Sequence, residues 1–140
     1  MRELEQNCET AAHWSAAQYD ALFGADAPTR VALIATDKFP GAPIMGLLIA
    51  RCLPEEWEIE NVVVDERHRQ RGVGTSLVRK LLADAGAAGV ESAVLEVRES
   101  NRPALRLYES IGFKAEGRRK NYYREPDEGA LLYRLKIADL

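Results

Sequence analysis

Three places in this 140-residue chain hold residues whose type and spacing could do chemistry. The first is NVVVDERHRQRGVGT, Asn61 to Thr75. Val62, Val63 and Val64 are consecutive and β-branched, which reads as a strand covered on both faces. Arg69, Gln70, Arg71, Gly72, Val73, Gly74 and Thr75 then lead into an apolar helical pattern. A helix N-terminus presents N–H groups without intrahelical acceptors at the positive end of the dipole, a place suited to phosphate. Gly72 and Gly74 let a ligand approach the backbone, and Arg69 and Arg71 add positive charge. The second is Glu96, mid-strand in SAVLEVR between Leu95 and Val97. A carboxylate there is costly unless it is paired or used. Desolvation raises a carboxylate's affinity for a proton, towards the range useful to a general base. An ion pair with Arg98, on the same strand face, is the structural alternative. The third is Glu60, which ends the polar/apolar alternation of its own strand just before Asn61.

These groups need elements to position them. The pattern predicts helices over residues 4–13 and from Ser15, where Ser15 and Gln18 fit a capping box and Gly24 ends the run. Arg30–Thr36 and Ile44–Leu53 read as an antiparallel hairpin around DKFPGAP. Glu56–Val64 is the third strand. The helix from Val73 carries Leu77, Val78, Leu81, Leu82 and Ala85 on one face and closes at Gly86 and Gly89. Ser92–Arg98 must then be parallel to the third strand, because a helix joins them. Asn101–Gly112 reads as a helix with Asn101 as cap and Pro103 where an early proline is tolerated. Phe113–Tyr123 and Ala130–Ile137 are the last two strands, joined by the charged loop REPDEG. The order gives an α+β domain, one domain over residues 1–140, whose sheet changes strand direction in its middle.

Composition narrows the classes of function. Hydrophobic residues make up 46% of the chain, enough for a real core. A net charge of −3 argues against a general nucleic-acid binder, while RHRQR leaves a local basic patch. No apolar run is long enough to span a bilayer, and Arg2, Glu3 and Glu5 after Met1 are no secretory signal. The expected location is the cytoplasm. Cys8 and Cys52 have no CxxC partner, so neither a disulfide nor a zinc site is expected. His13 and His68 lack metal-ligand spacing and read as surface residues.

The glycine loop resembles the acyl-CoA-binding loop of the GNAT N-acetyltransferases, whose pattern is Arg or Gln, two residues, Gly, one residue, then Gly or Ala. Arg69, Gly72 and Gly74 fit it. Residues 95–113, LEVRESNRPALRLYESIGF, and 118–123, RRKNYY, resemble the RimI-like branch and are far more specific. The resemblance covers nearly the whole chain. It departs in three places. Set against the family, the first strand is expected to be missing, His13-Trp14-Ser15 stands where Pro-Trp-Ser is usual, and Glu128-Gly129-Ala130 where Glu-Asp-Ala is. The first and last touch the acceptor side.

The resemblance implies the GNAT fold and acetyl-CoA as co-substrate. The diphosphate would lie on the N–H groups from Gln70 through Thr75, and the pantetheine arm along Val62–Val64, where one N–H faces the developing oxyanion. Asn101 resembles the asparagine that contacts this co-substrate, Glu96 the proton acceptor, and Tyr108 the proton donor. Helical spacing sets Tyr108 with Ala104, Leu105 and Ile111 on the inward face. Other branches place the base on the strand that holds Glu60, so Glu60 remains a rival, acting directly or through water. Tyr122 and Tyr123 would wall the acceptor site. No metal is implied.

The implied acceptor is a protein N-terminus, as for RimI-like enzymes that act on a ribosomal protein. An α-amine, with a pKa of about 8, is easier to deprotonate than a lysine at about 10.4, by roughly 3 kcal/mol at neutral pH. One carboxylate base suits it. Acetylation of a small amine and a non-enzymatic CoA-binding module are the competing expectations, with a cysteine acetyl carrier more remote. An edge left open by a missing first strand would favour pairing with another chain, a homodimer included.

Overall fold

A computed structural model describes residues 29–123 and 128–140, with side chains at 120–123 left aside. The helices expected over 4–13 and from Ser15, together with His13 and Cys8, lie outside the described residues.

Among the described residues, six strands form one sheet: β1 (Arg30–Thr36), β2 (Ile44–Cys52), β3 (Glu56–Val64), β4 (Ser92–Arg98), β5 (Lys114–Tyr123) and β6 (Glu128–Lys136). Their order across the sheet is β1-β2-β3-β4-β6-β5. Helix α1 (Val73–Ala87) joins β3 to β4, and α2 (Arg102–Ile111) joins β4 to β5. As expected, β2 runs antiparallel to both β1 and β3, and the crossover through α1 makes β3 and β4 parallel. The β4–β6 and β5–β6 pairs are antiparallel.

Helix α1 packs because its apolar stripe has the right period. Ala85 is buried on this stripe, and Leu77, Val78, Leu81 and Leu82 form one core with Leu48, Ala50, Ile59 and Leu95 of the sheet. Each buried leucine, valine or isoleucine contributes about 1.5–3 kcal/mol by leaving water. Gly46 lets the helix seat on β2. A Cβ there would lie 3.0 Å from both the Val63 carbonyl oxygen and Val73 Cγ1. Leu105 and Tyr108 of α2 and Phe113 just beyond it complete the core, with the Tyr108 ring edge-on to Phe113 at 5.6 Å.

Three expectations need correcting. Helix α1 continues through Gly86 to Ala87, and the chain turns only at Gly89, where φ is +81°. The last strand begins at Glu128 rather than Ala130, so the charged loop is shorter than its composition implied. Glu128 is drawn into the sheet because its carboxylate accepts from Arg98 Nη1 at 3.1 Å and from the Ser100 backbone N–H at 3.1 Å. The valines of β3 are not covered alike on both faces: Val63 is buried, whereas Val62 and Val64 are half-buried.

The half-buried pair follows from a bulge. Ile49 of β2 faces Asn61, but its neighbour Ala50 faces Ile59, so Glu60 is the extra residue. The β3–β4 ladder ends at the same level, at Ile59 opposite Leu95. Beyond it β4 pairs only with β6, through Glu96–Leu132 to Arg98–Ala130. The two parallel strands part there, and the outer segment of β3 is left with one edge open.

Candidate active site

Where β3 and β4 part, a cavity of about 530 Å³ opens on the face covered by α1 and α2. Val62 and Val64 line it from the strand. Arg69, Gln70, Gly72, Val73, Gly74 and Thr75 line it from the loop and the start of α1. Asn101, Pro103, Ala104, Arg106, Leu107 and Tyr108 close it from α2.

The loop is shaped to leave donors unpaired. Asp65 opens it, its side chain accepting from the Arg67 N–H at 2.9 Å and holding a 3-10 turn over Glu66–His68. The Arg67 side chain, its main partner, pulls the Asp65 pKa down to about 2. Gln70 and Gly72 both take left-handed backbone, at φ 63° and 79°. Gln70 does so at a steric cost that glycine would not bear. Gly72 caps α1 without any side-chain hydrogen bond. The first intrahelical bond is donated by Ser76 to the Gly72 carbonyl oxygen at 2.9 Å. The N–H groups of Val73, Gly74 and Thr75 therefore have no intrahelical acceptor, and all three residues line the cavity. Alternating left-handed positions followed by a helix N-terminus make an anion-binding concavity. Helix α2 shows the contrast: its cap Asn101 accepts from the Ala104 N–H at 3.3 Å.

The two glycines serve the fold in different ways. Gly72 has open space around it, and its left-handed φ is what calls for glycine. A Cβ at Gly74 would stand 2.8 Å from Leu107 Cδ1 and 3.5 Å from Val64 Cγ2. Gly74 is thus the point where α1 meets α2 over the cavity, as well as a backbone donor to it.

The carboxylates lie on the other face of the sheet. Leu95 and Val97 belong to the core under the helices, so Glu96 between them points away. Glu96 is 17% exposed and pairs with Arg119 Nη2 at 3.1 Å, not with Arg98. Arg98 is held by Glu128 at 3.1 Å instead. The register explains the exchange, since Arg98 and Arg119 both stand opposite Ala130 and bring β5 within reach of β4. Glu60 is engaged too. Arg30 donates to it through Nε at 2.7 Å and Nη2 at 3.0 Å, a forked pair only 11% and 15% exposed. The Glu60 hydrogen bond raises the Arg30 pKa further.

Of the residues picked from sequence, the cavity gathers Val62, Val64, Arg69, Gln70, Gly72, Val73, Gly74, Thr75, Asn101 and Tyr108. Val63 is buried and Arg71 is exposed, and neither lines it. Glu60 and Glu96 stand behind it. Tyr122 and Tyr123 are within β5, but their side chains lie outside the described residues. The sequence reading missed Arg106, Pro103 and Leu107, although their i, i+3, i+4 spacing from Pro103 marks one helical face. It also missed Asn61, a buried side chain at the bulge. Cys52 is half-buried and burial pushes its thiol pKa up, which disfavours the thiolate that an acetyl carrier requires.

The model of the acetyltransferase (GNAT) family matches residues 1–113. The chain belongs to the GNAT family. Among GNAT relatives, the N-alpha-acetyltransferase RimI of Mycobacterium tuberculosis is 40% identical over 91 residues, covering 65% of this chain and 56% of that protein. The ribosomal protein bS18-alanine N-acetyltransferase of Escherichia coli K12 is 36% identical over 92 residues, covering 64% of this chain and 62% of that protein. This GNAT chain thus spans between half and two thirds of those relatives. The crystal structure of the Escherichia coli ribosomal-protein-S18-alanine N-acetyltransferase is similar with a TM-score of 0.79 and 28% identity. That likeness covers 97% of this chain and 84% of the other. It bears out the GNAT architecture expected from the sequence, mixed sheet and parallel crossover included.

Proposed function

We propose that this chain is an acetyl-CoA-dependent N-acetyltransferase acting on the α-amine of a protein N-terminus, with a ribosomal protein as the acceptor. The observation that carries the reading is the parting of β3 and β4 beyond Ile59 and Leu95, with an uncapped helix N-terminus beside it. The residues present fit acetyl-CoA. N–H groups of Val73, Gly74 and Thr75 suit a diphosphate, with Arg69 and Arg106 supplying positive charge. The open edge of β3 at Val62–Val64 suits the amide-bearing pantetheine arm, which pairs as an added strand would. Acetyl-CoA supplies an acetyl group activated as a thioester.

The remaining steps fall to side chains. The acceptor enters from the face opposite the cavity, where Glu96 takes the proton from its ammonium group. An N–H of β3 faces the carbonyl oxygen as negative charge develops on it. Tyr108, reaching the cavity from α2, gives a proton to the departing thiolate and recovers one from the attacking nitrogen, which sheds its second proton as it becomes an amide. Arg119, 63% exposed, is the cation that the acceptor ammonium displaces from Glu96. Glu60 serves the fold through its forked pair with Arg30, and Glu96 is the base. The reading places the chain, as one domain, in the cytoplasm, without nucleic acid, metal or membrane as partner. No helix among the described residues is long and apolar enough to cross a bilayer.

The test is direct. Purified chain is incubated with acetyl-CoA and N-terminal peptides of ribosomal proteins, and products are read by mass spectrometry and free thiol. Acetylation at the α-amine supports the reading. Turnover of amino acids or aminoglycosides with none on the peptides moves the chain to the small-amine class.

A further inference from the structure

We infer that Arg106 reads the phosphate monoester on the ribose of coenzyme A, a role that rests on the binding of acetyl-CoA proposed above. The site then distinguishes coenzyme A from dephospho-coenzyme A, which lacks that group. Coenzyme A carries two separate anionic groups, a diphosphate and this monoester. The cavity offers a cation on each of two walls. Arg69 stands on the strand side, where its Nε donates to the Val64 carbonyl oxygen at 3.4 Å. Together with the N–H groups that open α1, it accounts for the diphosphate. Arg106 stands on the α2 wall and is left for the second anion.

Burial falls across α2 towards the mouth of the cavity. Tyr108 is buried, Asn101, Ala104 and Leu107 are half-buried, and Pro103 and Arg106 are exposed. Tyr108 thus serves the closed end, where the thioester reacts, and Arg106 the rim, which suits the distal end of the co-substrate. Leu107, the next residue, packs over Gly74, so Arg106 adjoins the phosphate loop. Among the described residues Arg106 has no ion pair or hydrogen-bonded side-chain partner. Its own helix gives it none. Glu109, one turn on, accepts from the Tyr133 hydroxyl at 2.8 Å, and the Ser110 hydroxyl donates to the Leu107 carbonyl oxygen at 2.7 Å. One turn back stands Arg102, a like charge at an unfavourable spacing. Other arginines are engaged: Arg67 by Asp65, Arg98 by Glu128 and Arg118 by Glu99. A guanidinium that is repelled along its helix and unpaired at a cavity rim is relieved by a phosphate dianion, whose oxygens match its fork.

Calorimetric titration of the full chain with coenzyme A and with dephospho-coenzyme A, at low ionic strength, tests this. Wild type is compared with Arg106→Gln and with Arg79→Gln, which removes an exposed arginine of α1 outside the cavity. Glutamine has nearly the helix propensity of arginine, so circular dichroism should not change. Wild type is expected to bind coenzyme A at least about tenfold more tightly than the dephospho form. Arg106→Gln should lose most of that ratio by weakening coenzyme A alone, whereas Arg79→Gln should keep it. Added salt should narrow the wild-type ratio, because the pair is exposed. Equal affinities in wild type, or a ratio that survives in Arg106→Gln or vanishes equally in Arg79→Gln, overturn the role of Arg106 and leave the co-substrate in place. Equal weakening of both ligands by Arg106→Gln overturns it too, in favour of the diphosphate. If wild type binds neither ligand, acetyl-CoA as co-substrate falls, and the role of Arg106 with it.

Discussion

Gly74→Ala separates the fold from the binding site. The added methyl would fall 2.8 Å from Leu107 Cδ1, against an optimum of about 3.5–4.0 Å for carbon–carbon contact. Leu107 must retreat by roughly 1 Å, and its methyl is the free end of a half-buried side chain. Moving it off its rotamer costs about 0.5–1.5 kcal/mol. Alanine in place of glycine in a helix returns up to about 1 kcal/mol. The two nearly cancel, so stability should change by less than about 1 kcal/mol. Leu107 and Gly74 both line the cavity, so methyl and displaced leucine occupy space the pantetheine arm needs. Acetyl-CoA affinity should fall at least about tenfold, which is about 1.4 kcal/mol. Urea denaturation and calorimetric titration on the same preparation read the two quantities. A variant with wild-type affinity and intact stability would refute the placement of the co-substrate between α1 and α2. A variant that loses several kcal/mol would refute the reasoning on Leu107.

Three further outcomes are expected. Glu96→Gln and Tyr108→Phe should each slow turnover by roughly 10²–10⁴ with little change in acetyl-CoA affinity, as single-turnover assays would show. If both variants keep full activity, the acid–base assignment is wrong. Glu60→Gln breaks a forked pair to Arg30 and should lower stability by about 1.5–3 kcal/mol, the range for hydrogen bonds to charged groups. Its per-molecule turnover should persist, and a specific loss of turnover with stability intact would return Glu60 to the role of base. Asp65 has a folded pKa of about 2 against an ordinary 3.8, so it contributes stability above pH 3.8 that is lost as pH falls towards 2. Melting curves of wild type and Asp65→Asn should therefore differ at neutral pH and converge near pH 2, and a gap unchanged down to that pH would contradict the pairing with Arg67.

What the sequence made legible was local. The valine run, the glycine junction and the one-sided stripe from Val73 specify strand, loop and helix through period and backbone chemistry alone. The parallel crossover follows from the helix between β3 and β4. What stayed hidden depends on contacts between distant residues. The bulge at Glu60 has no glycine or proline to announce it, yet it flips the strand so that Glu60 and Asn61 face away from the helices. The choice of Arg119 over Arg98 as partner of Glu96 rests on the β5–β6 register. Gly74 looked like a ligand-contact glycine, and only the approach of Leu107 from α2 reveals its packing role. Glu128 reads as loop until Arg98 and Ser100 are seen to hold it.

The central claim is that backbone amides at the start of α1 and the open edge of β3 hold acetyl-CoA. Isothermal titration of the chain with acetyl-CoA, with nuclear magnetic resonance of its amides, tests this most directly. One saturable site per chain is expected, with shifts concentrated at Val62–Val64 and Gly72–Thr75. Absence of heat, or shifts that leave those residues unmoved while gathering elsewhere, would contradict it.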